Sequence, residues 1–134
     1  MRIWLGVLAG SFVIASGVGI APAQAQSDYV KERLVQCKKG DHQACEHAGN
    51  SLELGISQPI DLEGARRAFE MGCKGDDFAG LGGLGACISL YRMVSLGKGG
   101  PQDPARAAEL EKRACNSRII SYEIELERAG LCKN

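Results

Sequence analysis

The sequence has no surplus of charge: 16 basic residues stand against 16 acidic ones, a formal net charge of zero. That balance leaves no electrostatic footprint for nucleic acid and no basic patch for anionic lipid. No Cys-x-x-Cys occurs among the six cysteines, which argues against a thioredoxin-type redox pair. Ser-Asp-Asn and Lys-Thr-Gly, which accompany the Ser-x-x-Lys nucleophile motif in penicillin-recognising enzymes, are absent. Nothing in the pattern sets two carboxylates across a pocket: Asp76-Asp77 reads as loop, and Glu123, Glu125 and Glu127 as a solvated helix face. The single tryptophan, Trp4, falls in an N-terminal segment of a different character from the rest.

That segment, residues 1–25, has the organisation of a signal peptide. Arg2 supplies a positive start, and residues 3–21 are uncharged and mostly apolar. Ala23-Gln24-Ala25 then provides the small-x-small pattern of a cleavage site. Gly17, Gly19 and Pro22 discourage a continuous helix just before it, which predicts that the site itself is extended. The apolar run approaches the roughly 20 residues that span a bilayer, but the Ala-x-Ala site directly behind it predicts cleavage after Ala25 and no stable membrane insertion. No cysteine lies near the site, so an N-terminal lipid anchor is not expected. The mature chain, residues 26–134, then holds 15 basic and 16 acidic residues and is one domain by length.

All six cysteines, Cys37, Cys45, Cys73, Cys87, Cys115 and Cys132, belong to this domain. An even count on an exported chain predicts three disulfides in an oxidising destination, the periplasm or the cell exterior. Sequence alone allows 15 pairings.

An internal repeat organises the domain. Cys45 and Cys73 are 28 residues apart, as are Cys87 and Cys115. At an offset of 42, Ala44 falls on Ala86, Leu52 on Val94, Gly55 on Gly97, Asp61 on Asp103, Ala65 on Ala107 and Gly72 on Ala114. Self-similarity at a fixed period marks a solenoid-type array. In the first copy a helical face of Cys45, Ala48, Gly49, Leu52 and Leu54 stops near Gly55. Asp61 then caps a second helix whose Ala65, Ala68, Phe69 and Gly72 face the first. In the second copy Leu90, Tyr91 and Val94 lead to a stop at Gly97. Asp103 caps a helix with Pro104 at its first position and Ala107, Ala108, Leu110 and Ala114 on its packing face. The expected fold is all-α: a short α/α solenoid of helix hairpins stapled by disulfides. Its units span about 44–76 and 86–115, with flanking helices over 28–38 and 117–130. Ile120, Ile124 and the basic Arg128 belong to the last of these.

The run Ala44-x₄-Gly49-x₂-Leu52-x₂-Gly55, followed by Asp61, Ala65 and Ala68, resembles the Sel-one-like repeat family, relatives of the tetratricopeptide repeat. The cysteine placement is similar to the cysteine-rich exported branch of that family, where a cysteine ending one unit joins one beginning the next. The resemblance implies pairing Cys37–Cys45, Cys73–Cys87 and Cys115–Cys132. The second linkage carries a glycine-rich insert, and the third spans 17 residues. A continuous helix over 117–130 would hold the last two sulfurs roughly 20 Å apart at about 1.5 Å per residue, beyond bridging range. Either the chain doubles back there or Cys132 has another partner.

Three stretches carry candidate chemistry. Cys37, His42, Cys45 and His47 are all metal-ligand types, but the Cys-x₇-Cys spacing is not that of a zinc knuckle and the compartment favours oxidation, so no metal is expected. Gly80-Leu81-Gly82-Gly83-Leu84-Gly85 matches a dinucleotide-binding pattern, but no strand precedes it, so it is expected to be a loop inserted before a helix at Ala86, and no cofactor is expected. Ser95-Leu96-Gly97-Lys98 matches Ser-x-x-Lys, with Gly97 expected to end the helix between the two functional groups. The family resemblance also implies a link to penicillin-type compounds, so a weak β-lactam-binding or β-lactamase-type hydrolase is the alternative function, on fold analogy alone. The leading expectation is a scaffold that binds a protein or peptide on its first helices, around His47, Ser51 and Tyr91. Two repeats are few for a solenoid, which leaves room for a homo-oligomer.

Overall fold

A computed structural model describes residues 23–74, 81–116, 127 and 130–132. Among the described residues there are five α-helices: α1 (Ala23–Lys38), α2 (His42–Leu54), α3 (Leu62–Gly72), α4 (Leu81–Leu96) and α5 (Pro104–Cys115). They pack in sequential pairs. α1 lies on α2 and touches α3, α2 pairs with α3, α4 rests on both α2 and α3, and α5 closes on α4. No helix of the described residues is long and apolar enough to cross a membrane. The expected closing helix over 117–130, with Ile120, Ile124 and Arg128, falls almost wholly outside the described residues, as do residues 1–22.

The turns inside the two hairpins are built alike. Gly55 and Gly97 adopt left-handed backbone angles, φ 65° and 67°, that glycine tolerates without a Cβ penalty. Beyond them the Ile56 N–H donates to the Ser51 carbonyl at 3.0 Å and the Lys98 N–H to the Met93 carbonyl at 2.8 Å. The Asp61 N–H returns to the Leu52 carbonyl, and the Asp103 N–H to the Val94 carbonyl. The Asp61 carboxylate accepts from the Gly64 N–H at 2.8 Å and the Asp103 carboxylate from the Arg106 N–H at 2.9 Å. Each of these features recurs 42 residues later, the offset of the sequence repeat. Asp41 caps α2 in the same way, through the Ala44 N–H.

The sulfurs join neighbours in chain order: Cys37 to Cys45, Cys73 to Cys87, and Cys115 to Cys132, with Cα separations of 4.6, 4.7 and 5.5 Å. Such bonds belong in an oxidising compartment. Each closes a short loop, for which the chain-entropy account gives roughly 2–4 kcal/mol.

Two expectations need correcting. Ala23, Gln24 and Ala25 form the first turn of α1 rather than an extended segment. Nothing after Pro22 breaks a helix there, since Ala and Gln are good helix formers. The glycine-rich insert is not a loop up to Ala86: α4 begins at Leu81, and Gly83 and Gly85 are buried within its first turns. Packing overrides the helix-weakening tendency of glycine at this point. A Cβ on Gly85 would lie 2.4 Å from the Glu46 carboxylate, so the glycine lets that side chain lie against the α4 backbone.

The added turns of α4 have their own cover. Leu84 and Ile88 pack with Ala114 of α5 and with Leu131, which is 1% exposed and immediately precedes Cys132. The chain therefore doubles back to α5, held by Cys115–Cys132. A larger cluster draws on all five helices, with Val30, Leu52, Ala65, Phe69, Leu90, Met93, Ala107 and Leu110 among its members. Tyr91 packs against both clusters.

Small residues set how closely the helices approach. A Cβ on Gly49 would fall 2.4–2.7 Å from the fully buried Phe69 ring. A Cβ on Gly72 would fall 2.7 Å from the Ala86 Cβ and 2.9 Å from the Cys45 Cβ. Gly72 thus sits where α2, α3 and α4 converge beside two disulfides. Gly72→Ala has no flexible neighbour to displace and is expected to destabilise the domain by about 1–3 kcal/mol. Thermal or urea unfolding of the oxidised protein measures this; an unchanged midpoint contradicts the close-approach argument.

Candidate functional site

An open groove of about 430 Å³ lies between α1 and α3. Leu34 of α1, Leu52 of α2 and Met71 of α3 give it an apolar floor, and Gly64 lines it beside Asp61. Since α1 runs into the antiparallel α2–α3 hairpin, α1 and α3 point the same way, and their C-terminal ends lie at one end of the groove. Lys38, the last residue of α1, and Lys74, which follows the α3 cap Cys73, both line it from that end. The volume falls in the range of about 300–1,000 Å³ common to ligand sites, which are mostly lined by apolar side chains, whereas charged side chains make up much of this lining.

Most of the groove's charges are engaged within the fold. Asp61 caps α3, Arg67 pairs with Glu63, and Glu70 lies 3.9 Å from Arg66. Lys38 and Lys74 are exposed, and among the described residues neither has an ion pair or hydrogen bond. Each follows a disulfide-bonded cysteine, Cys37 bonded to Cys45 and Cys73 bonded to Cys87, which restrains the backbone from which it extends.

The residues singled out from sequence lie elsewhere. His47 is exposed on α2, whereas Ser51, one turn on, is 7% exposed. Tyr91 is half-buried between the two apolar clusters of α4. None of the three lines the groove. Lys38 and Lys74 were not singled out from sequence; a Cys-Lys step at the end of a helix, at 37–38 and again at 73–74, is the signal that could have found them.

The other candidates have structural occupations. The Cys37 and Cys45 sulfurs are bonded to each other. His42 Nδ1 lies 2.9 Å from the Gly72 carbonyl oxygen, which makes it the donor. Arg113 Nη2 donates to the neighbouring Cys73 carbonyl at 3.3 Å, so α2 and α5 together satisfy the C-terminal carbonyls of α3. Of the Gly-x-Gly-x-x-Gly run, Leu81 to Gly85 form the first turns of α4, and the Glu46 carboxylate lies against that helix at Gly85.

Ser95 and Lys98 do not form a nucleophile–base pair. α4 ends at Leu96, Gly97 turns left-handed, and the Lys98 ammonium lies 3.5 Å from Glu53 of α2. Ser95 Oγ is buried without a hydrogen-bond partner, while its carbonyl accepts from Gln102 Nε2 at 2.7 Å. The α4–α5 turn also docks on α3, with Arg66 donating to the Pro101 carbonyl at 3.0 Å and Gly99 against the Leu62 carbonyl.

No family model, no curated protein and no solved structure matches the chain.

A buried hydroxyl with no partner contributes desolvation cost and nothing in return. Ser95→Ala is therefore expected to leave stability unchanged or raise it by up to about 1 kcal/mol, and the purified protein is expected to leave nitrocefin intact. Turnover of nitrocefin that disappears in Ser95→Ala would overturn this reading of the motif.

Proposed function

We propose that the chain is an exported helical-repeat scaffold of Sel-one-like type that binds a protein or peptide in the periplasm or outside the cell. The observation that carries this reading is the open α1–α3 groove, apolar along its floor and charged at its rim, on helices fixed by disulfides. Stacked hairpins present an extended surface over which a partner can lie, and rigid elements lower the ordering cost of binding. The 42-residue recurrence of turn, cap and return hydrogen bond supports an array of equivalent hairpins. The three disulfides support an oxidising destination.

Peptide recognition needs little chemistry beyond this. The helices supply fixed side chains, and the partner supplies an apolar segment and its own charges. The groove uses second helices, α1 and α3, whereas His47 and Tyr91 belong to the first helices α2 and α4.

The test is affinity capture from the native exported fraction, with the oxidised protein as bait. A partner retained by the oxidised chain, released on reduction and identified by mass spectrometry supports the scaffold. Recovery of the tagged protein only in the cytoplasm with Met1 still present, or no retained partner at all, contradicts it.

A further inference from the structure

The three disulfides differ in what can reach them. Cys37 and Cys45 are 4% and 1% exposed, and Cys73 and Cys87 are 3% and 1% exposed. Cys115, the last residue of α5, is only half-buried, and Cys132 is exposed. An attacking thiolate must touch a disulfide sulfur, so access decides which bond exchanges in the folded protein. The first two bonds come within reach only when the packing around them opens. The third is reached from outside.

The third bond also holds a strained backbone. Cys132 has φ 60°, in the left-handed region that a residue with a Cβ adopts at a cost, and Gly130 has φ 72°. Between them Leu131 is 1% exposed and clusters with Leu84, Ile88 and Ala114. Cutting the bond lets Cys132 relax and removes the tie that seats Leu131 beside α5.

We propose that Cys115–Cys132 is a thiol–disulfide exchange site, opened by an external dithiol reductant while the other two bonds stay closed, and that its opening unseats Leu131 from α4. The chain is the substrate of this exchange and not its catalyst, in keeping with its lack of a Cys-x-x-Cys. One thiolate of the reductant attacks Sγ of Cys132, the exposed sulfur. The bond between the two cysteine sulfurs breaks, and Cys115 leaves as a thiolate that takes a proton from water. The second thiol of the reductant, once deprotonated, attacks the mixed disulfide. It closes the reductant's own disulfide and frees Cys132, which is protonated in turn. Two electrons pass from the dithiol to the pair, and the dithiol's two protons are replaced on Cys115 and Cys132 through water.

The change stays at one end of the array. The larger apolar cluster does not include Leu131, and Cys73–Cys87 still joins α3 to α4. What loses its cover is the apolar patch of Leu84 and Ile88 on the first turns of α4. This device needs no bound partner and stands apart from the scaffold reading.

The test starts from the fully oxidised protein in the absence of denaturant. Dithiothreitol is added, samples are alkylated with iodoacetamide at intervals, and labelled cysteines are mapped by mass spectrometry. Cys115 and Cys132 are expected to be labelled at least about tenfold faster than the other cysteines. Far-ultraviolet circular dichroism is expected to hold nearly steady while anilinonaphthalene sulfonate fluorescence rises with the opening of that pair. Leu131→Ala loosens the seat without touching a sulfur, and is expected to speed opening of this pair severalfold with the other rates unchanged. C115S with C132S is expected to show the raised dye fluorescence without reductant. Simultaneous labelling of all the cysteines, or earlier labelling at Cys73 and Cys87, overturns the exchange site. Selective opening without a rise in dye fluorescence, or a Leu131→Ala rate equal to wild type, overturns the release of Leu131. Loss of helical circular dichroism on selective opening, or in the double serine variant, contradicts a change confined to this end.

Discussion

The junctions of this chain alternate between two kinds of constraint, and the rest of the structure depends on the covalent kind. Within a hairpin, α2 to α3 and α4 to α5, the chain turns at a left-handed glycine and restarts at a capping aspartate. Between hairpins the junction is a disulfide: Cys37–Cys45 ahead of the first, Cys73–Cys87 between the two, and Cys115–Cys132 after the second. Turn chemistry sets a local direction and, beyond the Arg66–Pro101 and Lys98–Glu53 contacts, does not hold one hairpin against the next. The sulfurs do that, beside a core in which alanine and glycine occupy many contact positions. Those small residues bring backbones close but bury little apolar area each.

The unequal spacing of the cysteines has a single structural account. The longer Cys73–Cys87 linkage accommodates the added first turns of α4, which place Leu84 one turn ahead of Ile88 and extend the apolar surface beyond the hairpin pattern. Left alone, those side chains would be exposed. The longer Cys115–Cys132 linkage brings Leu131 back to cover them, together with Ala114 and the edge of Tyr91. The two departures from regular spacing thus serve one apolar cluster. The same arrangement explains why Tyr91 joins both clusters instead of standing free on the surface.

The elements legible in the sequence are those set by local chemistry. Gly55 and Gly97 as stops, Asp61 and Asp103 as caps, and the faces carrying Ala65, Phe69, Ala107 and Leu110 follow from rules that act within a few residues. Spacing left the sulfur pairing open among 15 schemes, and it was the likeness to a repeat family that implied the neighbour pairing. The start of α4 was not legible, because Gly80 to Gly85 reads as a breaker until Glu46 and Leu131 are known to pack there. The candidate site was less legible still. Ser51 and Tyr91 share the helical faces of a first-helix surface on paper, but burial removes the first and the core engages the second. The groove depends on how α1 sits against α3, a contact between segments about 35 residues apart in sequence that no local pattern encodes.

The central claim is that sulfur joins the junctions on either side of each hairpin in chain order, which places the hairpins and seats α1 beside α3 to form the groove. Mass mapping of proteolytic peptides from the non-reduced, folded protein tests it most directly. The account predicts three cross-linked species, Cys37 with Cys45, Cys73 with Cys87 and Cys115 with Cys132. A peptide linking Cys37 to Cys132, or free thiols at Cys115 and Cys132, would contradict it.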